Sequence, residues 1–261
     1  MPALSRRALF RVSAMAWRSH GVDNPDLVRA LAANGIVRTR RVREAMLAVD
    51  RGRYVPSADA TARAEAYEDH PLPIGYGATI SAPHMHAACL ELLAPRCAAG
   101  ARALDVGSGT GYLSACLGEL ALSDGFKRDP ERASVEGEGI VVGVEHIEAL
   151  VSRSIENVER DGKGEWLRRG RLTLVSGDGR AGYEAYAPYD VIHVGASAAS
   201  VPQALLDQLA IGGRLVIPVG DSRGQELLVI DRLEDGTFTK RVEMGVIYVP
   251  LTSKESQLAG W

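Results

Sequence analysis

Three glycines at alternate positions have the residue type and spacing that point most directly to chemistry. Gly107, Gly109 and Gly111 follow Asp105, at which an apolar, strand-like run ends, and a helical pattern begins directly after them. Glycine adopts a positive φ without steric cost and lets a ligand approach the backbone closely. A strand, a glycine turn and a helix in this order predict a nucleotide-binding junction. The alternative is an ordinary tight turn between a strand and a helix.

The spacing of these glycines indicates which nucleotide the turn holds. A dinucleotide-binding turn reads G-x-G-x-x-G and places a pyrophosphate on the helix N-terminus. This chain reads D-x-G-x-G-x-G instead, which disfavours a dehydrogenase. That form resembles the first motif of methyltransferases that depend on S-adenosylmethionine (SAM), a cofactor without phosphate. The resemblance implies that SAM contacts Asp105, Val106, Gly107, Ser108, Gly109 and Thr110. The Asp105 carboxylate can accept hydrogen bonds from the glycine loop or attract the positively charged methionine end of the cofactor.

Alternating strand and helix patterns must hold this junction in place. Apolar strand-like runs lie at residues 103–105, 140–144, 172–176, 189–194 and 214–218, with helical patterns between them. Continuous apolar strands between helices are typical of a parallel sheet covered on both faces. Two more runs, at 226–232 and 238–249, are separated by an Asp-Gly turn signal and predict an antiparallel edge. We therefore predict an α/β fold, a doubly wound, mostly parallel seven-stranded sheet of the Rossmann-like type found in SAM-dependent methyltransferases.

The chain before the glycine turn predicts a helical N-terminal cap on this sheet. Asn24 and Thr39 have the residue types and positions of N-caps of two short helices. In the second of these helices Leu47 is among the residues predicted to face inward. A third helix is predicted over residues 82–93, entered through Ser81.

The sequence also predicts where the domain begins and where it is interrupted. Residues 1–22 form a basic and flexible extension, and residues 23–261 form a single domain. The charged, glycine-bearing segment 123–139 is a surface insertion within that domain. The Arg-rich, acid-free stretch 1–20 resembles an organellar transit peptide. A disordered extension is the alternative for this stretch, and it is the one that we favour.

Polar residues stand where the predicted parallel strands end, which is where ligands bind in open α/β sheets. Glu145 and His146 close the second strand, and a carboxylate there can accept both ribose hydroxyls. An acidic residue that binds ribose usually lies ~20 residues after the glycine loop, and Glu145 lies well beyond that distance. We therefore assign it to the ribose from its position at the end of a strand. The alternative role is a solvated charge at the start of a helix. Asp178 and Gly179 close the third strand, where Asp178 would accept the adenine amino group or form an Asx turn. The alternation of side chains along its strand turns His193 toward a buried face. This predicts a core histidine whose ring nitrogens are hydrogen-bonded within the protein.

Four segments outside the glycine turn resemble protein-L-isoaspartate (D-aspartate) O-methyltransferases. They are residues 15–20, 46–51, 78–87 and 245–252. The resemblance runs from about Met15 to Trp261 and is most specific in Ala-Thr-Ile-Ser-Ala-Pro-His-Met-His. It implies methyl transfer from SAM to the free α-carboxylate of L-isoaspartyl and D-aspartyl residues, with S-adenosyl-L-homocysteine (SAH) as the second product. An α-carboxyl group with a pKa of roughly 3.5 is already ionised at pH 7, so neither a general base nor a metal is required.

The same resemblance assigns roles to individual residues. Ser81 would orient the reacting carboxylate, and a helix N-cap is its alternative role. Further cofactor contacts would come from Ala78, Thr79, Ile80, Ser81, His86, Thr252 and Gln257. The backbone around Val249 would contact the substrate peptide. His84 and His86 form a His-x-His pair, but no third ligand stands at a recognisable spacing, so we predict no metal.

Composition limits the partners and the compartment of the protein, and two alternatives to an isoaspartyl methyltransferase remain. A net charge of −3 predicts no nucleic-acid partner, and no apolar run reaches the ~18 residues of a membrane span. Three cysteines without metal spacing fit a reducing compartment. We predict a cytoplasmic monomer whose partners are isoaspartyl proteins and peptides. The first rival is a small-molecule methyltransferase, which would usually need a base near the methyl group. The second is a silent adaptor that recognises isoaspartyl ends, although such relatives tend to lose glycine-loop residues that this chain retains.

Overall fold

The computed structural model describes residues 19–56, 64–122 and 139–259. Its helices are α1 (Asn24–Ala33), α2 (Arg40–Ala48), α3 (Pro83–Leu93), α4 (Tyr112–Ala121), α5 (Glu148–Arg160), α6 (Gly164–Arg168), α7 (Gln203–Asp207) and α8 (Lys254–Ala259). Its strands are β1 (Leu72–Gly75), β2 (Ala78–Ile80), β3 (Arg102–Val106), β4 (Ile140–Glu145), β5 (Leu172–Ser176), β6 (Tyr189–Val194), β7 (Leu209–Asp221), β8 (Gly224–Arg232) and β9 (Phe238–Val246). None of the helices in the three described ranges is long and apolar enough to span a bilayer.

Two predictions fall wholly or partly on residues that are not described. The insertion lies outside the described residues except for Gly139, and so does the basic extension up to residue 18. The described end of that extension contacts the fold: Ser19 is fully buried and its hydroxyl accepts a hydrogen bond from Asn34 Nδ2 at 2.8 Å. Packing therefore begins before the predicted boundary at residue 23.

Seven strands form one sheet in the order β5-β4-β3-β6-β7-β8-β9. The first five strands in that order are parallel, whereas β8 and β9 add an antiparallel edge, which confirms the predicted fold. From β3 the chain extends the sheet to one side through β4 and β5, and then continues on the other side of β3 with β6. This reversal brings the carboxyl ends of β3, β4 and β6 side by side at the switch point where such sheets bind ligands.

Hydrophobic residues cover both faces of the sheet. Leu27 of α1 and Met46 of α2 belong to the core on one face, together with Ala103 of β3. Leu104 of β3 and Ile192 of β6 belong to the core on the other face. Neighbouring residues of β3 enter different cores because successive side chains of a strand point to opposite faces. The N-terminal helices thus share a core with the sheet, and each fully buried Leu contributes about 1.5–3 kcal/mol.

The N-terminal helices confirm one predicted cap and correct another. The side chain of Thr39 accepts a hydrogen bond from the backbone N–H of Val42, as an N-cap does. Asn24 is not the cap of α1, because Asp23 stands one residue earlier and accepts from the N–H of Asp26. The buried Asn24 amide instead donates to the Met46 carbonyl at 2.9 Å and ties α1 to α2. The prediction for Leu47 is also wrong, since this side chain is exposed.

Two strands have bounds that differ from the prediction by three residues or more. β7 begins at Leu209 rather than at residue 214, and its pairing with β6 skips residues between Leu209 and Arg214. Gly212 lies in that interruption with φ +74°, a conformation that other residues rarely adopt. β9 ends at Val246 rather than at residue 249, so the residues that follow leave the sheet.

Candidate active site

The glycine turn after β3 has the backbone that its sequence predicts. Gly107, Gly109 and Gly111 have φ values of +74°, +52° and +81°. The N–H of Gly107 donates to the carbonyl of Val144 at 2.8 Å and holds the turn against β4. A Cβ atom on Gly109 would lie 3.3 Å from Ile74 Cδ1, so both its φ and its surroundings favour glycine.

A cavity of about 550 Å³ opens at the carboxyl ends of the central strands. Gly179 lies in its wall, and a Cβ atom there would lie only 2.4 Å from Val106 Cγ1, so a larger residue would displace the wall. Of the predicted residues, the cavity is lined by Ala78, Thr79, Val106, Gly107, Gly109, Glu145, His146, Asp178, Gly179, Thr252 and Gln257.

Glu145 lies at the end of β4 with its carboxylate fixed by two backbone groups. Its Oε2 accepts from the N–H of Gly109 at 3.2 Å, and its Oε1 accepts from the N–H of Ile147 at 3.0 Å. Only 7% of the residue is exposed, so the alternative of a solvated charge is wrong. Each carboxylate oxygen can accept a second hydrogen bond, which leaves acceptor capacity for a diol in the cavity.

Asp178 lies in the cavity wall and also forms the Asx turn that was its alternative. Its Oδ1 accepts from the N–H of Arg180 at 3.0 Å. The Arg180 guanidinium donates two hydrogen bonds to the same carboxylate, from Nε to Oδ1 at 2.9 Å and from Nη2 to Oδ2 at 2.6 Å. These side-chain hydrogen bonds from Arg180 hold the pKa of Asp178 below its usual value. Arg180 was not among the predicted site residues.

Gln257 of α8 spans the mouth of this cavity. Its Oε1 accepts from His146 Nε2 at 2.9 Å, and its Nε2 donates to the carbonyl of Tyr76 at 2.7 Å. His146 follows β4 and Tyr76 lies in the β1–β2 turn, so one amide joins three parts of the chain. The segment before α8 is also fixed, because Ser197 N–H donates to the carbonyl of Val249 at 2.8 Å.

A second cavity of about 350 Å³ adjoins the first and contains the remaining predicted residues. It is lined by Ile80, Ser81, His86, Asp105, Ser108 and Thr110, together with Tyr112, Leu113 and His193. The two cavities share Thr79, Gly107, Gly109 and Gly195 in their walls. Every predicted cofactor-binding or catalytic residue therefore lines at least one of two adjoining cavities.

Ser81 directly follows β2 and lies in the wall of the second cavity. The N-cap of α3 is Ala82, whose side chain makes no capping hydrogen bond, and the first-turn N–H of His84 donates to Asp69 Oδ1 at 2.9 Å instead. The alternative role of Ser81 as a cap is therefore wrong, because the helix begins one residue too late for it.

The two histidines of the His-x-His pair have different partners. His84 Nδ1 lies 2.8 Å from Asp69 Oδ1, whereas His86 Nδ1 lies 3.3 Å from Arg51 Nη1. Burial, reinforced by the charge of Arg51, holds the pKa of His86 well below 6.5. Because a guanidinium can only donate, the neutral His86 ring accepts at Nδ1 and carries its proton on Nε2. Within residues 19–56, 64–122 and 139–259 no group of three His, Cys, Asp or Glu side chains could hold a metal ion.

Comparison with known proteins assigns this arrangement to a family. The family model described as Protein-L-isoaspartate(D-aspartate) O-methyltransferase (PCMT) matches residues 22–256. The chain belongs to the PCMT family. Protein-L-isoaspartate O-methyltransferase 2 of Arabidopsis thaliana is 49% identical over 235 residues, which cover 90% of this chain and 70% of that protein. Protein-L-isoaspartate O-methyltransferase 1 of the same plant is 48% identical, covering 94% of this chain and 98% of its own length.

A solved structure supports the same assignment. It is a crystal structure from Plasmodium falciparum, assigned as a PCMT, in complex with SAH. Its sequence is 34% identical, the TM-score is 0.74, and the match covers 88% of this chain and 98% of that chain. The family, the enzyme class and the fold expected from the sequence are thereby confirmed.

Within this PCMT fold, Asp105 has partners other than the predicted ones. It is 1% exposed, and it was expected to accept hydrogen bonds from the glycine loop or to attract a positively charged part of the cofactor. Its Oδ2 accepts from Ser114 Oγ at 2.6 Å, and its Oδ1 lies 2.8 Å from His193 Nδ1. Burial alone would lower the pKa of His193, but side-chain hydrogen bonds to Asp105 and Cys89 raise it to about 10.

His193 is therefore satisfied by hydrogen bonds, as predicted, but it is also part of the site. It is 5% exposed and lines the second cavity together with Ser81. Asp105 and His193 are paired in register on neighbouring parallel strands, a pairing that requires the strand order and could not be predicted from the sequence. Both residues stand near the carboxyl ends of their strands, which is where ligands bind in such sheets.

Proposed function

We propose that this PCMT-family enzyme transfers the methyl group of SAM to the free α-carboxylate of L-isoaspartyl and D-aspartyl residues in damaged proteins and peptides. The products are a methyl ester and SAH. The observation that carries the proposal is the shared wall of the two cavities, formed by Thr79, Gly107, Gly109 and Gly195. A nucleoside at the strand ends and a carboxylate at Ser81 would meet at the glycine turn.

The residues of the first cavity suit SAM. The fixed Glu145 carboxylate would accept hydrogen bonds from the two ribose hydroxyls. Asp178 would face the adenine amino group, and Gln257 would cover the cofactor from α8. The positive φ of Gly109 lets the backbone approach the ligand without an intervening side chain. When bound, SAM supplies a methyl group on a sulfonium, which is electrophilic without further activation.

The residues of the second cavity would then orient the carboxylate and exclude water from it. Ser81 would donate its hydroxyl hydrogen to one carboxylate oxygen, and the neutral His86 offers a donor at Nε2 on the same wall. A substrate carboxyl group with a pKa of roughly 3.5 needs no base at pH 7. Alignment of the reacting atoms and removal of water from the nucleophile can supply the acceleration.

Transfer of labelled methyl from SAM to matched peptides tests this function. One peptide contains isoaspartate and the other contains aspartate in the same sequence. We expect base-labile label on the isoaspartyl peptide alone, because the label is a methyl ester. Label on neither peptide would refute the proposal, and that result together with label on a small acceptor would favour the first rival. Binding of the isoaspartyl peptide without any transfer would favour the adaptor.

A pair of serine variants tests whether Ser81 does this work. Ser81→Ala should lower kcat at least about tenfold, because a carboxylate that Ser81 no longer orients reaches the aligned geometry less often. The melting temperature should fall by no more than a few degrees, because Ser81 does not cap α3. Ser152→Ala is the matched control, since Ser152 is exposed in α5. Equal kcat for Ser81→Ala and the control would contradict the assignment of Ser81.

Three further properties belong to the proposal. We infer that residues 23–261 act as one domain, since the N-terminal helices and the sheet share a core. We also propose that the enzyme is monomeric and cytoplasmic, in keeping with its modest net charge of −3 and three unpaired, buried cysteines. Sedimentation of the purified protein tests the monomer, and localisation of a tagged full-length chain tests the compartment.

A further inference from the structure

A buried carboxylate stands in the wall of the cavity that must receive an anion. Asp105 is 1% exposed and lines the same cavity as Ser81, to which the proposed function brings the substrate carboxylate. Two carboxylates at one cavity repel each other, and the repulsion is strong here because Asp105 itself is almost fully removed from water. Substrate binding therefore requires that the charge of Asp105 be balanced within the protein.

His193 is placed to balance this charge. Its Nδ1 lies 2.8 Å from Asp105 Oδ1, and the parallel register of β3 and β6 fixes the two residues side by side. Ser114 Oγ already donates to the other oxygen of the carboxylate. An ionised carboxylate can only accept, so His193 must donate its Nδ1–H to Asp105.

The surroundings of His193 favour its charged form. Burial alone would lower its pKa, but the hydrogen bond to Asp105 outweighs burial and, with a further contribution from Cys89, raises the pKa to about 10. Arg51 is charged, but it contacts His86 Nδ1 and the Ala66 carbonyl rather than Asp105. His86 and Tyr248 are neutral at pH 7, because burial and Arg51 lower the pKa of His86 and burial raises that of Tyr248. Neither group competes with His193 as the countercharge.

We propose that His193 is a positioning residue: its imidazolium neutralises Asp105, so that the cavity admits the anionic α-carboxylate of the substrate. This inference rests on the proposed function, because it concerns the same cavity and the same substrate class. His193 acts through Asp105 and takes no part in the transfer of the methyl group.

The variant His193→Gln leaves Asp105 without its countercharge while preserving a side chain that can donate hydrogen bonds. We expect the KM for the isoaspartyl peptide to rise at least about tenfold, since an unbalanced charge now repels the substrate. The value of kcat at saturating peptide should change less. Methyl transfer removes one negative and one positive charge together, so the net charge facing Asp105 stays the same during the reaction.

A comparison of SAM and SAH separates this electrostatic role from a structural one. SAM carries one positive charge more than SAH, so an unbalanced Asp105 should favour SAM. We expect the ratio of Kd for SAH to Kd for SAM to rise at least about threefold in His193→Gln. A purely structural disturbance would weaken both ligands alike and leave the ratio unchanged, and that result would overturn the inference.

The double variant Asp105→Asn/His193→Gln removes both charges together. We expect its peptide KM to return to within about threefold of the wild-type value, because no unbalanced charge remains. This variant also keeps the inference testable if His193→Gln alone fails to fold. A peptide KM that stays raised in the folded double variant would overturn the inference. His70→Gln is the control, since this partly exposed histidine contacts Glu68 and the Pro71 carbonyl.

The two proposals fail in different ways in these measurements. A wild-type enzyme that methylates neither peptide would refute the proposed function itself. A wild-type enzyme that methylates the isoaspartyl peptide, with an unchanged peptide KM in His193→Gln, would refute the role of His193 alone.

Discussion

Glu145→Gln tests the cofactor site at the residue with the best-defined geometry. Both oxygens of Glu145 accept backbone hydrogen bonds, from Gly109 at 3.2 Å and from Ile147 at 3.0 Å. A glutamine side chain has nearly the same volume but only one accepting oxygen. The NH₂ group of the glutamine would therefore face one of the two backbone N–H donors. Toward the cavity, this NH₂ group would donate a hydrogen bond where the carboxylate oxygen accepted one.

The expected magnitude follows from the burial of this carboxylate. A hydrogen bond to a charged group contributes about 1.5–3 kcal/mol. Glu145 is 7% exposed, so water replaces a lost partner poorly. Loss of one ribose contact of this strength should weaken the binding of SAH about 10- to 150-fold. The unpaired backbone N–H should also lower the free energy of unfolding by about 1–3 kcal/mol.

Calorimetric titration with SAH measures this change without turnover, and a thermal melt establishes that the variant is folded. Glu156→Gln is the matched control, because Glu156 is exposed in α5. It removes the same charge from the protein surface and should bind SAH like the wild type. A Glu145→Gln variant within twofold of the wild-type Kd would refute the assignment of this carboxylate to the ribose. Equal weakening in both variants would also refute it, since the effect would then come from net charge.

Three other perturbations test separate parts of the site. Gln257→Ala removes the hydrogen bonds to His146 and to the Tyr76 carbonyl; stopped-flow displacement should show SAH dissociating up to about tenfold faster, and an unchanged rate would contradict the covering role. In Gly109→Ala the new Cβ is strained by a φ of +52° and lies 3.3 Å from Ile74, whereas in the control Gly162→Ala it is strained by a φ of +76° and has no neighbour within 4 Å. Both should lower the free energy of unfolding by about 1–2 kcal/mol in urea, but only Gly109→Ala should weaken SAH binding. Because the pKa of His86 is held well below 6.5, the unfolded chain binds a proton below pH 6.5 that the folded protein does not. Stability should then fall by up to about 1.4 kcal/mol per pH unit as the pH drops below 6.5, and equal slopes for the wild type and His86→Gln would contradict this contribution.

The parts of the site that could be predicted from the sequence depend on local rules. The glycine turn follows from the positive φ that its three positions need, and Glu145 follows from its place at a strand end. Parallel strands between helices place their carboxyl ends at one edge, so residues far apart in sequence could be expected in one cavity. The Ser81 loop was different, because only the resemblance to a family indicated its relation to the substrate.

The parts that could not be predicted depend on contacts across the fold. Asp105 was expected to bond with the glycine loop, but Ser114 and His193 occupy its two oxygens. The partner of Asp105 on β6 is 88 residues away, and strand order and register must both be known to pair them. The contact between Arg180 and Asp178 could not be predicted for another reason. Arg180 stands two residues from Asp178 in an exposed turn, where the side chain of arginine more often faces solvent.

The charges around the second cavity form a consistent pattern. Asp105 is paired with His193, His86 is held neutral, and burial keeps the Tyr248 phenol protonated. Among the described residues that line this cavity, the wall therefore presents almost no net charge to a ligand. A protein cation placed there would hold the substrate carboxylate as an ion pair, and breaking that pair would add to the barrier of methyl transfer. A neutral wall with a hydroxyl donor at Ser81 orients the carboxylate without neutralising it, so the oxygen keeps its nucleophilic character up to the transition state. The methyl ester that results has lost the charge that Ser81 bonded most strongly, and this loss favours release of the product.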